Sequence, residues 1–317
     1  MQAQFDSNRQ FGVEIETSMR GPRIQTIVDA LNEAGIPTAN TGYTHRTMST
    51  WKVVPDGSTG PEVVSPPLRG QAGLDEVARV CEVLTAIGCS VDRSTGLHVH
   101  HDFNDGSKAQ LKSILFLYAK AQILTQELLP TRVNTHWCRP ISASAITYMD
   151  SRMNRIARQV GQEADLRFYA ININSGRYYA VNPQAYSNHG TIEFRQHSGS
   201  LNASKIQAWI VFTQNIVSVG MAKKIGPQAF KYAQAGSVIY ALGRDTNCDV
   251  TKKARMNIIQ RIFENAQRRR GVQVDMANIG WFLDFAKMYL TPAQRRTLRR
   301  QNNQNIVRQT GDQLNQS

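Results

Sequence analysis

The chain has 317 residues, 41% hydrophobic and 19% charged, with a formal net charge of +13. That is enough chain to bury a full core, as one large domain or two smaller ones. No apolar run approaches a membrane span and residues 1–10 carry no signal-peptide core, while Cys81, Cys89, Cys138 and Cys248 are too scattered for a zinc knuckle or a disulfide framework, so a reducing cytoplasm is the expected compartment and no membrane partner is expected.

The first strand is predicted over residues 11–17. A helix follows over 22–34, where Pro22 suits the first turn, Ile24, Ile27, Val28 and Leu31 fall at helical spacing, and Gly35 closes it. Residues 38–50 are polar and turn-rich. Strands over 51–55 and 62–65 are joined by Asp56-Gly57-Ser58-Thr59-Gly60 as a hairpin, and Pro66-Pro67 stops the second. A helix over 74–87 precedes a strand over 96–102, and a long helix over 107–129 ends at Pro130. The stretch 131–190 has a weaker pattern, with a basic helix near 152–160 and a strand near 178–182. A strand over 191–197 and a helix over 204–223 complete this part. Past residue 243 the pattern is helical, over 251–269, 277–289 and 292–301, with a Gln- and Asn-rich tail. The expected division is a catalytic domain over 8–243 and a helical extension over 244–317.

Hairpins and crossovers alternate in this order, so an α+β fold is expected: a mostly antiparallel or mixed sheet with helices on one face. No Gly-rich loop of the P-loop or dinucleotide type is present. Phosphates, if any are bound, must be held by metal and by Arg or Lys.

Strand periodicity puts chemistry on one side of that sheet. Alternate side chains share a face, so Glu14 pairs with Glu16, His98 with His100 and Asp102, and Glu193 with Arg195 and His197. The opposite side carries Val13, Ile15, Leu97, Val99, Ile192 and Phe194, an apolar face for a core. His101 also points away from the charged face and is read as structural or exposed. Glu62 adds a further carboxylate after the hairpin turn. Carboxylates crowded on one face repel, and hard cations such as Mg2+ relieve the repulsion. Each fragment alone has a plainer reading: the wet face of a half-buried strand for Glu14 and Glu16, or an ordinary ion pair for Glu193 and Arg195. Four strands with the same division are harder to read as surface decoration.

The ordered phrases Gly12-Val13-Glu14-Ile15-Glu16, Gly60-Pro61-Glu62-Val63-Val64-Ser65-Pro66-Pro67, Gly96-Leu97-His98-Val99-His100 and Thr191-Ile192-Glu193-Phe194-Arg195 resemble the amidoligase family of the carboxylate–amine ligase superfamily. Glutamine synthetase and glutamate–cysteine ligase are its better-known relatives. The resemblance covers residues 11–223 and implies a curved sheet forming a funnel of the glutamine synthetase type, with helices on its outer face. It further implies ATP and Mg2+ as cofactors, with Mn2+ as a substitute. Glu14, Glu16, Glu62, His98 and Glu193 become the metal ligands. Arg195, His100 and Lys52 fall to the nucleotide, and Arg195, His100 and Glu193 to catalysis. Asp56 and Ser58 lie on the substrate side. Arg139 and Arg177, with Arg152 and Arg155, are candidates for a substrate carboxylate or phosphate. The implied reaction is attack of a carboxylate on the γ-phosphoryl group, then of an amine on the acyl phosphate, giving an amide, ADP and phosphate.

Two rival readings stand beside this. Residues 251–317 carry 13 Lys/Arg against 4 Asp/Glu, so an inactive relative docking on nucleic acid or another polyanion is one; a solvated helical face is its plain counterpart. A metal-dependent hydrolase using His98 and His100 is the other, although such sites are richer in His than this one.

Overall fold

A computed structural model describes residues 6–129, 132, 135–159, 161, 165–174, 176–222 and 224–226. The helices expected after residue 243, and with them the proposed extension, lie outside the described residues.

The strands are β1 (Phe11–Glu16), β2 (Thr38–Asn40), β3 (Trp51–Val54), β4 (Glu62–Val64), β5 (Gly96–Asp102), β6 (Val181–Asn182) and β7 (Thr191–Ser198). They form one open sheet in the order β2-β3-β4-β1-β5-β7-β6. All neighbouring pairs are antiparallel except β2 with β3. The mostly antiparallel α+β reading therefore holds, and the 51–65 hairpin folds as expected, with Val53 opposite Val63.

The helices are α1 (Ile24–Glu33), α2 (Gly70–Ala86), α3 (Lys108–Leu128), α4 (Ala143–Gln159), α5 (Leu166–Asn172), α6 (Tyr186–His189) and α7 (Ala203–Ala222). The apolar face of the sheet supplies Phe11, Val13, Ile15, Leu97, Val99, Ile192 and Phe194 to a core completed by α1, α2, α3 and α7. Burying each large side chain there stabilises the fold by about 1.5–3 kcal/mol. Helix α7 is deeply buried, with a sequence that is apolar on nearly every side. It lies tightly on α3: a Cβ at Gly220 would fall 2.4 Å from Ile114 Cγ1. Ser107 and Gln110 cap α3 reciprocally, side chain to backbone in both directions.

Several elements differ from expectation. Three residues of the polar 38–50 stretch form β2, which pairs in parallel with β3. Helix α4 begins at Ala143, nine residues before its basic half. Helix α5, capped by Asp165, which accepts from Phe168 N, was not apparent because it is too short for periodicity to show. His197 is the instructive case. The β5–β7 register shifts between Leu97 and Val99, so that Leu97 faces His197 while Val99 faces Phe194. The extra residue on β7 is a bulge, and a bulge changes which face later side chains take. His197 is consequently buried against Trp209 of α7, not on the charged face with Arg195.

Candidate active site

The other face of the sheet forms the floor of a cavity of about 710 Å³, a volume suited to a cofactor or small substrate. Register sets the floor in rows. Lys52, Val64, Glu14 and His98 form one row across four strands; Val54, Glu62 and Glu16 form the next; His100, Glu193 and Asn182 form a third. Side chains directly opposite in an antiparallel pair share a face. Glu14 and Glu193, from the first and last of the long strands, are thereby brought within ligand distance.

Contacts within the floor are dense. His98 Nδ1 lies 3.0 Å from Glu14 Oε2 and 3.5 Å from Glu193 Oε1, and its Nε2 is 3.4 Å from Glu16 Oε1. His100 Nε2 is 3.3 Å from Glu14 Oε1, and its Nδ1 meets Thr191 Oγ1 at 2.9 Å. Glu193 accepts from Asn182 Nδ2 at 2.6 Å and pairs with Arg195. Glu16 Oε2 accepts from the Gly96 amide at 2.5 Å.

Electrostatics divide these carboxylates. Burial would raise the Glu14 pKa, but His100 and His98 hold it well below the usual carboxylate range. Glu193 behaves likewise, with Arg195 and then the two histidines outweighing burial. For Glu62 the Arg195 guanidinium offers too little help. Burial, then repulsion from Glu14 and Glu16, drives its pKa well above the ordinary value. On the imidazole side, burial would lower the His100 pKa, yet the Glu14 and Glu193 carboxylates keep it raised.

A divalent cation fits this donor set. Glu14, His100 and Glu193 offer three ligand atoms within 4.8 Å of one another, as do Glu14, Glu62 and His98. His98 Nε2 and His100 Nε2 are buried and face carboxylate oxygens at 3.4 and 3.3 Å without a well-directed hydrogen bond, and Glu62 is repelled by its neighbouring carboxylates. Oxygen donors predominate, which suits Mg2+ or Mn2+.

The remaining expected residues divide by position. Asp56 and Ser58 line the cavity, where Asp56 Oδ1 accepts from Ser58 N, Ser58 Oγ and Thr59 N and so fixes its own turn. Arg177 stands at the rim, its guanidinium 5.2 Å from the centroid of the Tyr178 ring. Arg139 runs beside Tyr178 and Ala180 through backbone bonds and is not part of the cavity wall; nor are Arg152 and Arg155, both on α4. Lys52 is buried, and its ammonium donates to the carbonyls of Thr44 at 3.1 Å and Arg46 at 2.7 Å. It therefore ties the 43–48 segment, which also lines the cavity, down to the sheet. Across the floor, Thr47 Oγ1 meets His189 Nδ1 at 3.3 Å, and the His189 ring stands edge-on to His100.

Among the contributors to the cavity that the sequence did not point to are the 43–48 segment, His189 and Arg132. The first two lie in turn-rich sequence without periodicity. Arg132 had one signal in its neighbour across space. Gly96 opens β5, and glycine in a strand marks close approach of another group. A Cβ there would lie 2.8 Å from Arg132 Nη2 and 3.0 Å from its Cζ.

No curated protein matches the chain. A family model described as "Putative amidoligase enzyme" matches residues 7–217, a span that contains the entire acidic and imidazole floor. The chain belongs to this amidoligase family, which supports its reading as an amide-bond-forming ligase.

Proposed function

We propose that the protein is an ATP- and Mg2+-dependent ligase that joins a carboxylate to an amine through an acyl phosphate, releasing ADP and phosphate. One observation supports this reading above the rest: the carboxylates of Glu14, Glu16, Glu62 and Glu193 converge with two imidazoles and the Arg195 guanidinium on the floor of one cavity. A divalent cation held there supplies neutralisation of phosphate charge. Glu14, Glu62 and Glu193 with His98 and His100 hold it, with Glu16 alongside.

The chain's own groups do the rest. Arg195 presents a planar, permanently charged donor set beside the acidic floor, suited to the oxygens of a transferring phosphoryl group. Glu193 and Asn182 orient it, since Glu193 accepts from both. Lys52 shapes the nucleotide side by holding the 43–48 segment over the floor. Asp56, Ser58 and Arg177 face the substrate. The polyanion reading of residues 251–317 is kept as part of this proposal: the charge there would hold an acidic substrate carrier, and loss of salt-sensitive polyanion binding on their removal is its check.

The test is nucleotide turnover with Mg2+ in an extract of small metabolites and peptides, resolving ADP from AMP, beside Glu193→Gln. ADP release that needs the extract and vanishes in the variant is the expected result. AMP release would replace the acyl-phosphate mechanism with adenylation. Absence of both turnover and nucleotide binding would overturn the ligase reading.

A further inference from the structure

Among the described residues, Arg132 is a buried cation without an ion-pair partner. The residue is 4% exposed. Its Nη2 donates only to the Arg195 carbonyl, at 3.4 Å, and its Nε has no hydrogen-bond partner. Among the described residues no carboxylate lies within ion-pair reach of it. A guanidinium cannot escape burial by losing its proton at physiological pH. A buried charge left without a partner destabilises the fold that holds it.

The neighbours do not repair this. Burial lowers the Arg132 pKa, the Arg195 guanidinium adds to the lowering, and Cys138 and Glu16 only partly offset them. The Cys138 thiol is itself pushed up to about 11, chiefly by burial, and so is uncharged at neutral pH. Arg195 also has a buried Nε without a partner. Both arginines line the cavity. The chain makes room for this arrangement, because Gly96 leaves the space in which the Arg132 guanidinium lies.

We infer that Arg132 and Arg195 form an oxyanion subsite at the Gly96 end of the cavity, completed by an anion that the protein does not supply. Two planar forks with free donors match an anion with several oxygens, phosphoryl or carboxylate. The subsite deepens the ligase reading and rests on it for the owner of the anion, a nucleotide phosphoryl group or the substrate carboxylate. Binding itself does not depend on that reading.

The experiment compares thermal melts and calorimetric titrations of the full chain with orthophosphate and with acetate, for wild type, Arg132→Gln and Gly96→Ala. In anion-free buffer Arg132→Gln is expected to melt no lower than wild type, because it removes an unpaired charge; a lower melt, or failure to fold, would make Arg132 a structural cation and overturn the inference. Orthophosphate or acetate is expected to raise the wild-type melt, with affinity at least tenfold weaker in Arg132→Gln. Protection by orthophosphate assigns the subsite to the phosphoryl group, and protection by acetate alone assigns it to the substrate carboxylate. Gly96→Ala keeps the charge but displaces the guanidinium, so it too should weaken binding. No protection of wild type by either anion, or full affinity in both variants, would sink the subsite. Anion protection in a protein that never turns over ATP would leave the subsite standing and remove the ligase reading; unchanged ligation by Arg132→Gln would do the reverse.

Discussion

The same strands build two faces governed by opposite rules. On the helix side, Phe11, Val13, Ile15, Leu97, Val99 and Phe194 are at most 2% exposed and meet other apolar groups. On the cavity side, Glu14, Glu62, His98, His100 and Arg195 crowd together with incomplete neutralisation. Adjacent histidines on β5 show the contrast. His101 is buried toward α7, bonds Thr213 Oγ1 at 2.7 Å, and has its pKa driven well below normal by burial. One residue earlier, His100 faces carboxylates and is shifted upward. One face maximises stability of the free chain; the other holds back stability for what it binds.

The largest expected effect belongs to the apolar face. Phe194→Ala should destabilise by about 3–5 kcal/mol, through lost transfer energy and the cavity left behind. Urea denaturation checks this, and a loss under 1 kcal/mol would mean that the strand does not anchor the core.

Next comes the polar face, where Glu193→Gln should reduce ADP release by about 10²–10³-fold, the scale of losing one electrostatic group at a reaction centre. Far-ultraviolet dichroism should be unchanged. Activity within threefold of wild type would exclude Glu193 from the machinery.

Acid should act through the buried histidines. His197 has its pKa pushed down to about 4, mainly by burial. A histidine depressed in the folded state takes up its proton on unfolding, so its contribution is complete above the unfolded pKa and is lost as pH falls from about 6.5 toward 4. The loss amounts to roughly 3 kcal/mol at most, with His101 acting in the same direction. Urea midpoints at pH 7, 5.5 and 4 measure it, and a profile as flat as that of His197→Gln would contradict the burial argument.

The smallest effect separates the faces by sign. Replacing Glu62 by Gln removes a carboxylate repelled by Glu14 and Glu16, so in metal-free buffer it should stabilise by about 1 kcal/mol. The same variant should lose most of the melting shift that Mg2+ or Mn2+ gives wild type. A destabilised variant with an intact metal response would show that Glu62 serves the fold and not the cation.

Much of this was legible in the chain because strand periodicity is local. The alternation in Val13-Glu14-Ile15-Glu16 and in Leu97-His98-Val99-His100 assigns faces without knowledge of the partners. Antiparallel pairing followed from the hairpin at residues 56–60, and α3 from its periodicity and its stop at Pro130. Elements such as β2 and α5 were too short to carry a period, whereas β6 falls inside the strand expected near 178–182. The placement of Arg139 outside the cavity wall and of Arg177 at its rim depends on loop paths that no pattern encodes.

By itself, then, the sequence determined which side chains share a face, since the pleat repeats every two residues. Tertiary structure decided the rest. A bulge on β7 moved His197 into the core, against Trp209. Cross-strand register brought Glu14, His98 and Glu193 within ligand distance. Packing against Gly96 buried Arg132 with no ion-pair carboxylate among the described residues. Each of these depends on contacts between residues far apart in the chain, and so has no local signature to read.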